Sequence, residues 1–319
     1  MRQKQEMTIT QLEYLVAVDM HKSFAKAAKR CFVTQPTLSM QIKKVEEELN
    51  VLIFDRSKKP VLTTEIGQQI IEQARITIQE AKRINEIVQS QKDDVKGELR
   101  IGIIPTLSPY LLPLFVTQFI QKYPEVSLVI QELLSQEIVD KMNNDLLDVG
   151  ILVTPLNEKS IVEIPLFYES FVVYISTNHP LSAQNKIDFK DLDINEMWLL
   201  KEGHCFRSQA VNICGEDQGL NSSNHLRFES GSLETLRRIV EKQFGYTLLP
   251  ELATMDLGQD RLQYVKTFSK PRPVREVSLV IHRKFMKRRL IELLKTEILD
   301  NIPEAIKANK KERIINWKE

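Results

Sequence analysis

The strongest constraint on this chain is the stretch from Glu65 to about Lys92, which has no proline and a single early glycine. Ile66, Ile70, Ala74, Ile78, Ala81, Ile84 and Val88 recur along it at three- and four-residue steps, the period of an amphipathic helix. A helix of that length cannot bury such a stripe against itself. It is expected to pack on a partner helix, with its own domain as the competing seat. The segment also divides the chain, because the residues before it and after it follow different patterns.

Residues 8–60 read as short helices separated by tight breaks. In TQLEYLVAVDM, Leu12, Leu15, Val16 and Val18 share one side. Ser23 is placed to cap SFAKAAKRCF, where Phe24, Ala27, Ala28 and Cys31 form an apolar stripe and Cys31 is expected to be core packing. Gln35 and Pro36 open a third helix, with proline in the first turn where a missing N–H costs little. Its apolar positions Leu38, Ile42, Val45 and Leu49 leave Thr37, Ser39, Gln41 and Lys44 facing outward. Two short helices joined by a tight turn make a helix-turn-helix, and the outward polar set suits base edges and phosphates. LIFDRSKKPVLTT follows as a β-hairpin wing carrying Arg56, Lys58 and Lys59.

Charge supports that reading locally rather than globally. The chain is close to neutral, with 44 Lys and Arg against 43 Asp and Glu. Residues 21–59 nevertheless hold nine basic positions and four acidic ones, a balance of +5. A phosphate-facing surface has this signature, and a solvated charged face is the competing explanation. No apolar run reaches the roughly 18 residues of a membrane span, and MRQKQEMTIT has no secretory core. With three cysteines among 319 residues, no closed disulfide framework is expected, which points to a reducing, cytoplasmic setting.

After the polar stretch 93–97, expected as a hinge ending in glycine, strands and helices alternate. LRIGII, PYLLPLFVTQFIQKY, VSLVIQ, SQEIVDKMNN, LDVGILV and FVVYIS suggest βα units on a mostly parallel sheet. The pattern continues through GYTLLP and REVSLVIHR to a helix near 285–299. These residues predict two α/β lobes with a ligand cleft between them. The terminal KANKKERIINWKE is polar and is expected to be loosely held.

VTQPTLSMQIKKVEEELNVLIFDRSKKPVLTTEIG resembles the signature of the LysR-type transcriptional regulators. Three further segments resemble the peroxide-sensing branch of that family: IPTLSPYLLP at 104–113, KEGHCFRSQAVNIC at 201–214 and SLETLRRIVEKQFGYTLLP at 232–250. The resemblance implies a mixed fold. A winged helix-turn-helix DNA-binding domain at 1–64 precedes a dimerising linker helix at 65–92 and the hinge at 93–97. A redox-sensing domain of two α/β lobes, like a periplasmic binding protein, occupies 98–319. It also implies that Gln35, Pro36 and Thr37 begin the recognition helix, with Ser39, Gln41 and Lys44 contacting DNA. Arg56 and Lys58 would belong to the wing, and Thr64 matches the family's threonine before the linker helix. The implied partners are double-stranded promoter DNA, hydrogen peroxide, a homodimer that assembles to a homotetramer, RNA polymerase and a thiol reductant of glutaredoxin or thioredoxin type. No cofactor, metal or membrane is implied.

The same resemblance makes Cys205 the peroxidatic thiol and Cys214 the resolving one. It puts Thr106, Ser135, His204, Arg207 and Arg275 in the peroxide pocket, with serine at 135 where the family usually has threonine. Donors and positive charge near a thiol favour the thiolate that attacks peroxide, and His204 and Arg207 are the sequence neighbours able to supply them. The resulting sulfenic acid condenses with a second thiol within reach. If 205–214 is helical when reduced, nine steps put the two Cα atoms about 13.5 Å apart on roughly opposite faces. A disulfide needs about 7 Å or less, so oxidation would have to refold the segment. Three alternatives stay open at this stage. A small organic effector in the cleft would make the cysteines incidental, a thiol peroxidase would have no need of a DNA-binding head, and zinc held by His204, Cys205, Cys214 and His225 lacks the close ligand pairs of common motifs.

Overall fold

A computed structural model describes residues 7–90, 95–214, 230–283 and 288–316. The chain divides into two compact units, Met1–Asp94 and Val95–Glu319.

In the first unit, α1 (Ile9–His21) starts at a capping box in which Thr8 and Gln11 satisfy each other's free backbone N–H groups. Ser23 caps α2 (Phe24–Arg30) and Thr34 caps α3 (Gln35–Leu49), each accepting a first-turn N–H. The hairpin has two-residue strands, β1 (Phe54–Asp55) and β2 (Leu62–Thr63), paired antiparallel. The long helix α4 (Glu65–Ser90) follows. One core holds Leu12, Leu15, Val18, Ala27, Leu38, Ile42, Val45 and Phe54 together with Ile71, Ala74 and Ile78 of α4. The middle of the α4 stripe is therefore seated on its own unit, while Ile84 is 66% exposed. Leu49, expected in the core, is 38% exposed. It is the last residue of α3 and lies outside the apolar core of this unit. Val16, Phe24 and Cys31 are half-buried rather than sealed.

In the second unit, β3 (Gly97–Ile103), α5 (Ser108–Lys122), β4 (Val126–Glu132), α6 (Ser135–Asn143) and β5 (Val149–Thr154) form βαβ units with β4, β3 and β5 parallel. Gly97, expected in the hinge, is the first residue of β3 opposite Val126; residues 93 and 94 lie outside the described residues. The 15-residue β6 (Ile161–Ile175) then leaves for a second lobe. There lie β7 (Lys186–Ile187), α7 (Cys205–Cys214), α8 (Leu233–Val240), β8 (Tyr246–Pro250), α9 (Gln259–Leu262) and β9 (Val265–Phe268). Strand β10 (Pro273–His282) returns to the first lobe, followed by α10 (Arg288–Asn301), α11 (Glu304–Lys307) and β11 (Arg313–Ile314).

The expectation of a mostly parallel sheet fails in the second half. Strand β10 runs antiparallel to both β5 and β6, and β6 pairs antiparallel with β8 and β9. The connection from β5 to β6 spans residues 155–160 only. That is too short for the crossover helix a parallel return requires. Strand β6 contributes to both lobes: Ile161 and Phe167 enter the first apolar core, and Phe171–Ile175 the second, while β10 gives Val277, Leu279, Val280 and Ile281 to the first. The polar terminus is not loose either, since β11 pairs parallel with β10 and Ile315 is buried.

Candidate functional site

Helix α3 presents the polar face expected of it. Gln35, Pro36 and Lys44 are exposed, and Thr37, Ser39 and Gln41 are half-exposed. Its neighbours constrain two other candidates. Glu46, buried at the back of α3, accepts the N–H groups of Ile53 and Phe54 and pairs with Arg56 at 2.7 Å. Arg56 also donates to the Ser39 hydroxyl at 3.1 Å and lies 4.8 Å over the Phe24 ring. Its guanidinium thus ties the hairpin to α3 and α2, while the side chain is still 38% exposed. Thr64 has a comparable local role. Its hydroxyl donates to the Leu52 carbonyl at 2.7 Å and accepts the Gly67 N–H at 3.0 Å, capping α4. A Cβ at Gly67 would strike the Ile53 carbonyl oxygen, so glycine is required for this approach. Lys58 is exposed at the hairpin end.

In the second unit, polar groups from separate elements converge on the start of α7. Thr106 follows β3, Ser135 is the first residue of α6, Cys205 is the first residue of α7, and Arg275 lies in β10. Arg275 is 1% exposed; it donates through Nη1 to Thr106 Oγ1 at 3.0 Å and through Nη2 to the Thr106 carbonyl at 3.1 Å. Its charge is matched by Glu169 of β6, fully buried, at 2.7 and 2.9 Å. Glu169 also accepts the Leu252 N–H at 2.9 Å. Burial pushes the Glu169 carboxyl above its ordinary value, and Arg275 and the Leu252 N–H oppose that push. The Arg275 guanidinium lies 5.3 Å from the Phe206 ring centre. Sequence reading missed Glu169, although one acid inside the apolar run FYESFVVYI was a usable signal.

Cys205 is buried and reduced. Burial raises its thiol above the ordinary value, against the Arg275 charge, the Ser135 hydroxyl and the N–H groups of Phe206 and of Cys205 itself. Those N–H groups belong to the helix start, where the helix dipole adds to the same effect. Apart from the thiol itself the buried Ser135 hydroxyl has no hydrogen-bond partner among the described residues, and buried His204 Nε2 has none. Burial, then the Lys201 charge, lowers the His204 imidazole below its ordinary value, which favours its neutral form. Arg207 is not brought to the thiol. Its side chain turns back to donate to the Leu200 carbonyl at 2.8 Å, because two helical steps, about 200°, point residue 207 away from residue 205. The cationic partner of Cys205 is therefore Arg275, far away in sequence.

Cys214, also reduced, closes α7 inside the second lobe's apolar core. Burial and the Asp193 charge push its thiol up to about 12. Cys205 belongs instead to the first lobe's core. The ten-residue helix thus runs from one core to the other and holds its cysteines about 13.5 Å apart by helical rise. His225 lies outside the described residues. His179 is buried, stacked on Phe244 at 4.8 Å and bonded to Glu196 at 2.9 Å. Among the described residues no helix is long and apolar enough to cross a membrane.

Comparison with known proteins agrees with this architecture. Residues 9–68 match the bacterial regulatory helix-turn-helix protein, lysR family, and residues 92–302 match the LysR substrate binding domain. A "Hydrogen peroxide-inducible genes activator" of Haemophilus influenzae is 34% identical over 301 residues, covering 94% of this chain and 99% of the relative. A full-length cysteine-to-aspartate variant of OxyR from Pseudomonas aeruginosa superimposes with a TM-score of 0.75 at 36% identity, over 92% of this chain and 98% of that one. A cysteine-to-serine OxyR mutant from Corynebacterium glutamicum, described as H2O2-bound, gives a TM-score of 0.58 at 25% identity over 95% of both chains. The chain belongs to the LysR family of DNA-binding transcriptional regulators, with a helix-turn-helix head and a two-lobed regulatory part.

Proposed function

We propose that this regulator responds to hydrogen peroxide through Cys205 and Cys214. The observation that carries the reading is the surroundings of Cys205. Ser135 Oγ, a buried polar atom with no partner among the described residues other than the thiol itself, stands beside Cys205, which is backed by the Thr106–Arg275–Glu169 network. A buried hydroxyl is costly unless its bonding capacity is met, and a small molecule able to donate and accept beside the thiol meets it.

The Cys205 thiolate attacks one peroxide oxygen and the O–O bond breaks. The leaving hydroxide takes a proton and departs as water, which leaves a sulfenic acid. The Cys214 thiolate then attacks that sulfur, the S–O bond breaks, and a second water leaves as the disulfide forms. Two thiols and one peroxide give one disulfide and two waters. The second step requires α7 to unwind. Unwinding takes Cys214 out of its apolar seat, which removes the burial that suppresses its ionisation.

On the same reading, α3 enters the major groove of promoter DNA with Gln35, Pro36, Thr37, Ser39, Gln41 and Lys44, and Lys58 approaches the backbone. The exposed part of the α4 stripe supports a homodimer, and pairs of dimers a homotetramer. RNA polymerase, a glutaredoxin- or thioredoxin-type reductant and a cytoplasmic location complete the proposal. The test is promoter transcription in vitro with Cys205→Ser. Peroxide-dependent activation should disappear. If the variant still responds to peroxide, the reading is wrong; if it instead responds to an organic effector, the cleft is the sensor.

A further inference from the structure

The switch helix is tied down by the far end of the chain. Gln209, fully buried on α7, donates through Nε2 to the Ile315 carbonyl at 2.6 Å, and Asn212 donates through Nδ2 to the Asn316 carbonyl at 3.0 Å. The two amides are three residues apart and so lie on one face of the helix. Residues 313–316 are themselves anchored. The Arg313 N–H donates to the Arg272 carbonyl at 3.1 Å and the Ile315 N–H to the Val274 carbonyl at 2.9 Å. Glu312 accepts the Arg272 N–H at 2.6 Å, and the Arg313 guanidinium lies 4.4 Å from the Phe189 ring centre. Ile315 is 5% exposed in the same apolar core as Cys214. Val274, whose carbonyl holds the strap, immediately precedes Arg275.

We infer that β11 and the two residues after it form a strap that holds α7 helical, and that closing the Cys205–Cys214 disulfide requires releasing it. The inference rests on the peroxide reading above and adds a regulatory element to it. Both amides that grip the strap lie between the two cysteines. Their spacing fits the Ile315 and Asn316 carbonyls only while the helix persists, and the helix cannot persist when its end cysteines come within about 7 Å. The strap therefore separates the two chemical steps. Sulfenic acid formation leaves it in place, and a reductant can reset the sensor there. Disulfide formation breaks it and frees the β10 edge beside the arginine that faces the thiol.

The experiment is amide hydrogen exchange read by mass spectrometry on the full-length protein, reduced and after stoichiometric peroxide, with the disulfide assayed by peptide mapping on the same samples. In disulfide-bonded protein the amides of Arg313 and Ile315 should exchange at least about tenfold faster. A disulfide with unchanged protection at these amides overturns the strap. If no disulfide forms, the peroxide reading fails, and the strap is then judged on the reduced protein alone. There Asn212→Ala should speed exchange of the α7 amides by roughly two- to tenfold, the worth of one hydrogen bond; no change overturns it. Where the disulfide does form, Asn212→Ala should leave sulfenic acid formation at Cys205 unaltered and accelerate closure by a similar factor. An equal effect on both steps, or on neither, counts against the strap. A chain ended after Lys311 gives the same contrast with a larger acceleration.

Discussion

Helices α3 and α7 both carry functional side chains, but they are held in different ways. Leu38, Ile42 and Val45 fasten α3 along one face, and the opposite face stands open. In α7 Cys205, Phe206, Gln209, Ala210, Ile213 and Cys214 are all buried, the first in one lobe's core and the last in the other's. A helix fixed on one side can meet DNA without changing shape. A helix stitched into two cores changes shape only by giving up contacts in both, and burying a single side chain such as Ile213 is worth about 1.5–3 kcal/mol. The first arrangement suits reading. The second suits a switch that stays off until a covalent bond drives it.

The largest expected effect separates the two ends of α7. Cys205→Ser should remove peroxide oxidation, while Cys214→Ser should stop at a sulfenic acid on Cys205 that dimedone captures. Oxidation of Cys214 at the parent rate in Cys205→Ser protein would break the distinction. Next is Arg275→Ala, which strands the buried Glu169 carboxylate. Urea unfolding should show a loss of about 3–5 kcal/mol, and peroxide oxidation of Cys205 should slow. Thr106→Val removes one acceptor and should cost less, about 1–3 kcal/mol. Unchanged oxidation in both variants would dissociate the network from the thiol.

A third expectation concerns pH. Both thiols are raised in the folded protein, Cys214 to about 12, so thiolate is scarce at neutral pH. Iodoacetamide labelling of each thiol should climb about tenfold per pH unit with no plateau at the ordinary thiol value. The stability consequence has a definite sign. Above the unfolded thiol value the native state keeps protons that the unfolded chain has lost, so stability falls as pH rises beyond that point. Cys214→Ser should flatten that alkaline decline. A plateau at the ordinary thiol value for either cysteine would contradict its burial in the folded protein. The smallest effect is on α3: Lys44→Ala should weaken DNA binding and reduce its salt slope by about 0.9. Arg56→Ala, by contrast, should lower the stability of the first unit with little change in slope. A full unit of slope lost with Arg56 would make it a phosphate contact after all.

The contrast between the helices also explains what could be read in advance. The capped, periodic α3 is a local object, and Ser23, Thr34, Pro36 and the Leu38–Ile42–Val45 stripe announce it within a few dozen residues. The cysteine separation was legible for the same reason. The partners of Cys205 were not, because the Arg275–Glu169 and Arg275–Thr106 bonds span 106 and 169 residues. Proximity in sequence favoured Arg207, which helical geometry turns toward Leu200. The tail misled for a related reason: its composition is polar, yet backbone pairing with β10 and one buried isoleucine hold it. Arg56 carries the charge of a DNA contact, and its second tie, to a buried carboxylate in α3, could not be read from the hairpin sequence.

The central claim is that one helix holds two thiols apart until peroxide joins them. Intact mass and non-reducing peptide mapping test it most directly, on fully reduced protein before and after stoichiometric peroxide. The account predicts a loss of two hydrogens and a cross-linked peptide joining Cys205 to Cys214. Thiols that stay reduced, or oxidation confined to Cys31, would contradict it.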